Sequence, residues 1–453
     1  MTRDSAPGRA TPGRAPGATP PAARSRHHTS GARPPVAERT ALVGLTPGGQ
    51  RRLAAEDSLD ELAGLAEAAG AVVAYRLLQE RARPDPATFI GKGKLVTLRT
   101  ACEELEIGLV VFDNELSPAQ ARNVERSLER RVIDRTQLIL DIFARRAHTR
   151  EGKLQVELAQ LKYLLPRLVG SSEALSRLGG GIGTRGPGET KLETDRRRIR
   201  HRIATLTHDL ADVRRRRGQL RARRREGTAP TVALVGYTNA GKTTLFNHLA
   251  GEAAQASDAL FVTLDPLVRQ VRLGDRQAIF LSDTVGFIDR LPHTLVAAFR
   301  ATLEEVVEAD LLLHVVDAAS PDRERRMRAV HQVLEEVGAD EVPTLPVLNK
   351  CDRVEEVERA RLRAEHPDAV LISARSGEGI DALREAVAGR LALDSERVRL
   401  EFDEASEADR ARIAWLYRVG RVVSHHTVGT RTALEVRVAR RWLDRLETAP
   451  EQA

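Results

Sequence analysis

The sequence predicts an α/β protein whose centre is a mostly parallel, doubly wound sheet. A small α/β domain with a long helical hairpin precedes that sheet, and a small α+β domain follows it. Three observations carry this reading. Apolar, β-branched strands alternate with helical patterns from about residue 40 to 392. One of those strands, at 231–235, runs into a glycine-bearing loop and then an apolar helix. Two long helical patterns, near 150–168 and 190–226, flank a segment with six glycines in ten residues.

The chain has 453 residues, 42% hydrophobic and 30% charged, which is length for about three domains. Aliphatic content is ordinary although only 3% of residues are aromatic, so a collagen-like, disulfide-scaffold or wholly disordered chain is excluded. Cys102 and Cys351 stand too far apart in sequence for a ligand pair or a disulfide framework, which suits a reducing cytosol. No apolar stretch approaches about 18 residues and the N-terminus has no apolar h-region. We therefore expect a cytoplasmic protein with neither a membrane span nor a secretory signal.

The net charge of +7 is unevenly spread. The first 36 residues carry six Arg against Asp4, and residues 196–225 carry thirteen Arg against Asp209 and Asp212, leaving the remainder at −9. Such a block inside a folded chain is the footprint of a polyanion, most often nucleic acid. The chain has 64 Arg and seven Lys, so part of this richness is compositional, and a solvated helix is the plainer alternative.

Residues 1–37 hold hardly any large aliphatic side chain and are expected to be a disordered basic tail. The N-terminal α/β domain spans 38–148. ALVGL and AVVAYRLLQ read as strands, with Ser58-Leu59-Asp60-Glu61 as a capping box opening a helix that Gly70 closes. A second helix follows Gly91-Lys92-Gly93-Lys94, then the strand GLVVF, then a helix capped by Ser117 with Pro118 at its first position. The hairpin occupies 149–227, with Leu154, Leu158, Leu161 and Leu165 at near-helical spacing. Its segment 179–188 is either a plain flexible tip or a place where glycine backbone N–H groups approach phosphates and Arg185 supplies charge. With it, Arg214, Arg215, Arg216 and Arg217 are the candidate RNA contacts.

The central domain, 228–392, carries the chemistry. TVALV is followed by Gly236-Tyr237-Thr238-Asn239-Ala240-Gly241-Lys242-Thr243-Thr244, a P-loop in its strand–loop–helix setting. Loop N–H groups and the helix N-terminus suit the α- and β-phosphates, Lys242 suits the β- and γ-phosphates, and Thr243 suits Mg²⁺. Downstream, Asn349-Lys350-Cys351-Asp352 ends another apolar strand. A carboxylate at Asp352 matches guanine's adjacent N1–H and N2–H₂ donors, whereas adenine would set a lone pair against it. The expected nucleotide is GTP. Ser373-Ala374-Arg375 would lie over the base. Asp283-Thr284-Val285-Gly286 ends a third strand, where Asp283 suits Mg²⁺ and the Gly286 N–H suits the γ-phosphate. In the segment Phe261-Val262-Thr263-Leu264-Asp265, Thr263 is the candidate threonine completing Mg²⁺ coordination. Together these make a P-loop GTPase domain with Lys242, Thr263 and Gly286 as its catalytic candidates.

The chain resembles the HflX family of translational GTPases from about residue 40 to 392. The resemblance rests on GGGIGTRGPGETKLETDRR (179–197), FIGKGKL (89–95), FVTLDP (261–266) and DTVGFIDRLPH (283–293). It implies an N-terminal domain and hairpin that dock on the large ribosomal subunit, and nucleotide-dependent splitting of stalled or inactive ribosomes. It leaves open a ribosome-assembly GTPase that inspects rRNA without splitting anything. An RNA-binding scaffold with a degenerate pocket is disfavoured by the intact motifs. The expected state is a monomer.

Residues 393–453 read as a strand (VRLEFD), a helix over 406–419 and a strand (TALEVRVA). His293, His425 and His426 have no carboxylate or Cys at ligand spacing and suggest no metal. The 91–94 run is not a second P-loop, because it lacks Ser or Thr after the lysine. Cys351 reads as a small buried hydrophobe. After the glycine of DTVG, where many GTPases place a water-orienting glutamine, this chain has Phe287. Hydrolysis is therefore expected to be slow until the ribosome completes the site. Asn239 either helps coordinate K⁺ or stabilises the loop turn.

Overall fold

The computed structural model describes residues 37–46, 51–168, 187–225, 229–251, 260–261, 263–274, 277–289, 303–393, 395–439 and 442. The expected basic tail through residue 36, residues 179–186 of the glycine-rich segment with Arg185, Val262 and His293 lie outside the described residues.

The first sheet is all parallel. Its strands β1 (Arg39–Thr46), β2 (Val72–Glu80), β3 (Leu109–Phe112) and β4 (Arg131–Asp134) stand in the order β2-β1-β3-β4. Helices α1 (Arg51–Ala68), α2 (Lys92–Glu104), α3 (Pro118–Leu128) and α4 (Arg135–Arg146) accompany them. All four residues of β3 are buried, as a parallel strand covered on both faces requires. Ser117 and Gln120 form a reciprocal capping box at the start of α3. Four-residue β4 is too short to show a period and was not anticipated.

The expected capping box at Ser58 is a correction. Helix α1 starts seven residues earlier, at Arg51, because RRLAAED is itself good helix-forming sequence. Ser58 is buried in mid-helix, and its hydroxyl donates to Asp113 Oδ2 at 2.7 Å. Gly70 ends the turn after α1 with φ +83°.

Helices α5 (Arg150–Leu168) and α6 (Pro187–Arg225) pack side by side. Leu158, Leu206 and Leu210 are buried together, and Arg202 forks onto both carboxylate oxygens of Glu157 at 2.7 Å. The central sheet has the order β10-β9-β8-β5-β7-β6. Its strands are β5 (Thr231–Val235), β6 (Leu267–Gly274), β7 (Gln277–Asp283), β8 (Leu311–Asp317), β9 (Thr344–Asn349) and β10 (Val370–Leu371). All pairs are parallel except β6 with β7. Strand β6, LVRQVRLG, is polar and at the edge, so it lacks the apolar signature of its neighbours. Among the described residues, helices α7 (Lys242–Ala250), α8 (Arg323–Val337), α9 (Glu356–Glu365) and α10 (Ile380–Arg390) accompany this sheet, and residues 303–307 are also helical.

One buried cluster joins the two α/β domains. Phe143, Val156 and Tyr163 of the first pack with Val235, Phe261, Val285 and Phe287 of the second. The C-terminal unit is antiparallel, in the order β11-β13-β12, from β11 (Ser395–Asp403), β12 (Gly420–Val428) and β13 (Arg431–Ala439). Helix α11 (Glu407–Val419), capped by Ser406, covers one face of it. Strand β12 was not anticipated, since it is polar and largely exposed. No helix among the described residues is long and apolar enough to cross a membrane.

Candidate functional site

Because β5, β7, β8 and β9 are parallel neighbours, their carboxyl ends open on one edge of the sheet, where doubly wound folds bind ligands. A cavity of about 300 Å³ lies there. The loop after β5 needs its glycines. Gly236 has φ +150°, and a Cβ there would stand 2.2 Å from Val315 O; Gly241 has φ +95°, and a Cβ would stand 2.2 Å from Asn349 Nδ2. Asn239 is left-handed at φ +59°. Helix α7 starts with no side chain capping it, so its first N–H groups face the cavity as an anion site.

Lys242 is buried, and its Nζ donates to Gly236 O at 3.0 Å and Tyr237 O at 2.8 Å. Burial pulls its pKa down to about 8 against the opposing pull of Asp283. Beside it, three oxygens form a triangle. Thr243 Oγ1 and Thr263 Oγ1 lie 2.8 Å apart, and each donates to Asp283 Oδ2 at 2.8 Å. Burial pushes the Asp283 carboxyl up. Its other oxygen, Oδ1, is buried with no hydrogen-bond partner. Three converging hard oxygens with the unmatched carboxylate oxygen beside them fit a small divalent cation such as Mg²⁺.

At the far end of the cavity, Asn349 is a brace. Its Nδ2 donates to Ala240 O at 2.8 Å and its Oδ1 accepts from Ala374 N at 2.9 Å, tying the P-loop to the 373–375 loop. Lys350, at φ +66°, donates to Asn239 O at 2.7 Å and to Asp317 Oδ2 at 2.6 Å. Asp352 is exposed toward the cavity, and the Ser373 hydroxyl beside it holds its carboxyl below the usual range. Thr238, Thr244, Thr284, Gly286, Ser373 and Arg375 also line this space. A Cβ on Gly286 would come within 2.8 Å of Thr238 and 3.1 Å of Lys242 Nζ, so a side chain at that position would press on the P-loop.

Several expected site residues are placed elsewhere. Val285 and Leu264 are buried in the core shared with the first domain. Ala240 is buried beneath the loop, and Cys351 beneath the Asp352 end, where burial raises its thiol to about 11. The Thr284 hydroxyl donates to Leu234 O at 2.6 Å rather than into the cavity. Phe261 lines the cavity at one edge while its ring packs edge-to-face on Phe143. Asp265 turns away entirely and accepts from His148 N at 3.0 Å and Thr149 N at 2.8 Å. Tyr237 also turns away. Its hydroxyl donates to Glu61 and accepts from Asp289 N at 2.8 Å. Phe287 is buried in the same core, and its N–H donates to Gly236 O at 3.1 Å. His425 Nδ1 is bonded to Tyr417, and no cluster of three or more His, Cys, Asp or Glu side chains that could hold a metal stands among the described residues. Of the arginine block, Arg215 pairs with Asp212 at 2.5 Å and Arg216 is exposed; the side chains of Arg214 and Arg217 lie outside the described residues.

Sequence reasoning missed Glu61 and Arg135. Arg135 is buried, bonds Asp113 at 3.0 Å and Glu61 at 2.7 Å, and reaches Asp289 O at 3.4 Å. It also missed Thr149, Gly152 and Asp317. Glu61 ends the run that reads as a capping box and the others lie in no local motif, so nothing in one sequence marks the partners they find.

Residues 56–144 match the family model described as GTP-binding GTPase N-terminal, 146–224 match GTP-binding GTPase Middle Region, and 231–350 match 50S ribosome-binding GTPase. The chain is 50% identical over 347 residues to the GTPase HflX of Caldanaerobacter subterraneus, covering 77% of this chain and 80% of that one. It is 50% identical over 337 residues to the GTPase HflX of Escherichia coli, covering 74% and 79% respectively. Among solved structures it is similar to a GTP-binding protein from Sulfolobus solfataricus in complex with GDP, at 25% identity and a TM-score of 0.42 over 78% of this chain and 98% of that one.

Proposed function

The chain belongs to the HflX family of GTPases, which bind and hydrolyse GTP, and from that premise we propose that it works on the large ribosomal subunit to remodel or split stalled or inactive ribosomes. The observation that carries this reading is the bond between the cation-site segment and the hairpin. Thr263 is in the oxygen triangle, and two residues later Asp265 holds the start of α5. Nucleotide state and hairpin position are thereby joined by one short piece of backbone.

In this reading GTP lies along the cavity. Its phosphates take the loop N–H groups and Lys242, and its guanine meets Asp352 under the 373–375 loop. Thr243, Thr263 and Asp283 would hold Mg²⁺, which supplies charge neutralisation across the β- and γ-phosphates. Lys242, once drawn onto the phosphates, leaves the carbonyls of Gly236 and Tyr237. Gly286 N–H and Thr263 sense the γ-phosphate, so its loss releases both segments. Phe287 gives the attacking water no hydrogen bond, so hydrolysis waits for a partner that completes the site. The basic hairpin, with α6 carrying the arginine block, supplies the contact to rRNA phosphates. The protein acts in the cytoplasm as a monomer.

Sucrose-gradient profiles of intact ribosomes with the protein and a non-hydrolysable GTP analogue test this. Free subunits appear if the reading holds. Unchanged ribosomes with protein bound only to large subunits favour an assembly or checkpoint GTPase instead.

A further inference from the structure

We propose that the open face of the C-terminal sheet is an RNA-backbone contact, built on a row of three arginines that cross it from edge to edge. Strand register assembles the row. Arg397 of β11 is directly opposite Arg437 of β13, and Arg437 is directly opposite Arg421 of β12. Helix α11 covers the other face, on which Leu434, Val436 and Val438 are buried, so the period of two sends all three arginines to the uncovered side. All three are exposed.

Two neighbouring rows on the same face carry complementary pairs, and between them exposed Glu401 is opposite Ala433. Arg399 is opposite Glu435, and Asp403 is opposite Arg431. The row at 397, 437 and 421 instead places like charges where cross-strand repulsion is felt directly. Glu435, in the adjacent row, offsets only part of this charge. Arg397 Nε donates to it at 2.6 Å and holds its carboxyl below the usual range, with Ser424 bonded to its other oxygen at 3.2 Å. Among the described residues no salt bridge engages Arg421 or Arg437, while Arg399 acts on Glu435 across the strand.

Opposed strands bring Cα atoms within about 5 Å, so three guanidinium forks line up over roughly 10 Å on a rigid surface. Planar forks with free N–H pairs suit phosphate oxygens. The described part of this face shows Ser424, Ala433, His426 and Val428 beside the charges and no Phe, Tyr or Trp on its strands' outward positions. With His426 as its one aromatic ring and charge as its main feature, the described face suits the sugar–phosphate backbone better than a run of stacked bases. An acidic protein segment is the competing occupant. The inference stands apart from ribosome splitting, because it concerns contact with RNA and not its consequence.

The test uses the full chain with deproteinised large-subunit rRNA as the probe. Affinity is measured across a salt series for wild type, for Arg421→Gln with Arg437→Gln, and for Arg410→Gln with Arg418→Gln on the exposed part of α11. The sheet double variant should flatten the slope of log affinity against log salt by about 1.4–1.8, two phosphate contacts' worth, while the helix variant leaves it unchanged. Thermal unfolding of the sheet variant should be unchanged or raised, since like-charge contacts are relieved, and intrinsic GTP turnover should not move. Equal flattening in both variants, or none in either, overturns the proposal. So does a poly-glutamate peptide that binds wild type but not the sheet variant while rRNA binds both alike. A sheet variant that unfolds is replaced by Arg421→Lys alone, which keeps charge but loses the fork and should weaken binding by a few-fold.

Discussion

Asp265 holds Thr149 by both its main chain and its side chain. Asp265 Oδ2 accepts from the Thr149 N–H at 2.8 Å, and the Thr149 hydroxyl donates to Oδ1 at 2.5 Å. The same hydroxyl accepts from Gly152 N at 3.0 Å, so the carboxylate and the threonine together cap the first turn of α5. Gly152 makes room for this, since a Cβ there would lie 2.2 Å from Asp265 Oδ1. A residue two positions from Thr263 of the oxygen triangle thus sets the start of α5.

Asp265→Ala should therefore separate nucleotide binding from its use. Loss of the cap costs about 1 kcal/mol of stability, and GTP affinity stays within about two-fold. Stimulation of hydrolysis by large subunits should fall several-fold more than intrinsic hydrolysis does. Gly152→Ala should reproduce this by crowding Asp265. Steady-state turnover with and without subunits decides it, and equal loss of both rates refutes the coupling.

Asp352→Asn should relax base preference. The amide presents one acceptor and one donor to guanine's two donors, so GTP affinity falls by about 10–100-fold. Competition titrations with GTP, ATP and XTP measure it. Unchanged GTP affinity removes Asp352 from base reading.

Lys242 ties nucleotide binding to pH. Its pKa, lowered to about 8 by burial, means the side chain loses its proton as pH rises through 8, whereas phosphates require the ammonium form. Nucleotide binding should take up close to one proton above pH 8 and little below pH 7, and affinity should fall as pH rises from 8 to 9. For folding the sign is the reverse of an ion-paired lysine. The buried charge is a penalty below pH 8 that fades toward the ordinary pKa near 10.5. Calorimetry in buffers of different ionisation enthalpy counts the protons.

Phe287→Gln should not restore a water-orienting group. The ring is 2% exposed in the core shared by the two α/β domains, so the change buries an amide and destabilises the fold by about 2–4 kcal/mol without raising turnover. Chemical denaturation and single-turnover hydrolysis read the two effects. A faster enzyme of normal stability contradicts the placement.

Asn239 offers two roles that one experiment separates. Its left-handed backbone is the turn-stabilising role, and its exposed side chain at the cavity is the K⁺ role. If K⁺ is used, turnover in KCl exceeds turnover in NaCl at equal ionic strength by ten-fold or more, and Asn239→Asp or Asn239→Ala abolishes the difference. Equal rates in both salts leave only the turn.

The sequence by itself determined which residues gather at the cavity, because the P-loop, DTVG and NKCD runs are short and contiguous. Gly236 to Thr244, Asp283 to Gly286 and Asn349 to Asp352 each sit at one strand end, and a parallel sheet must bring such ends to one edge. It likewise carried the strands with continuous apolar runs and the helices with clear caps, such as α3 at Ser117. What only the tertiary structure decided depends on partners far along the chain. Ser58 looked like a cap until Asp113, 55 positions away, offered its hydroxyl a carboxylate. Asp265 looked like part of the nucleotide site until Thr149 drew it to the hairpin. Tyr237 and Arg135 gained their meeting at Glu61 and Asp289 from the packing of one domain on the other. The polar strands β6 and β12 carried no periodic apolar signal, so only their hydrogen-bonded neighbours, β7 and β13, made them strands and set Arg421 beside Arg437.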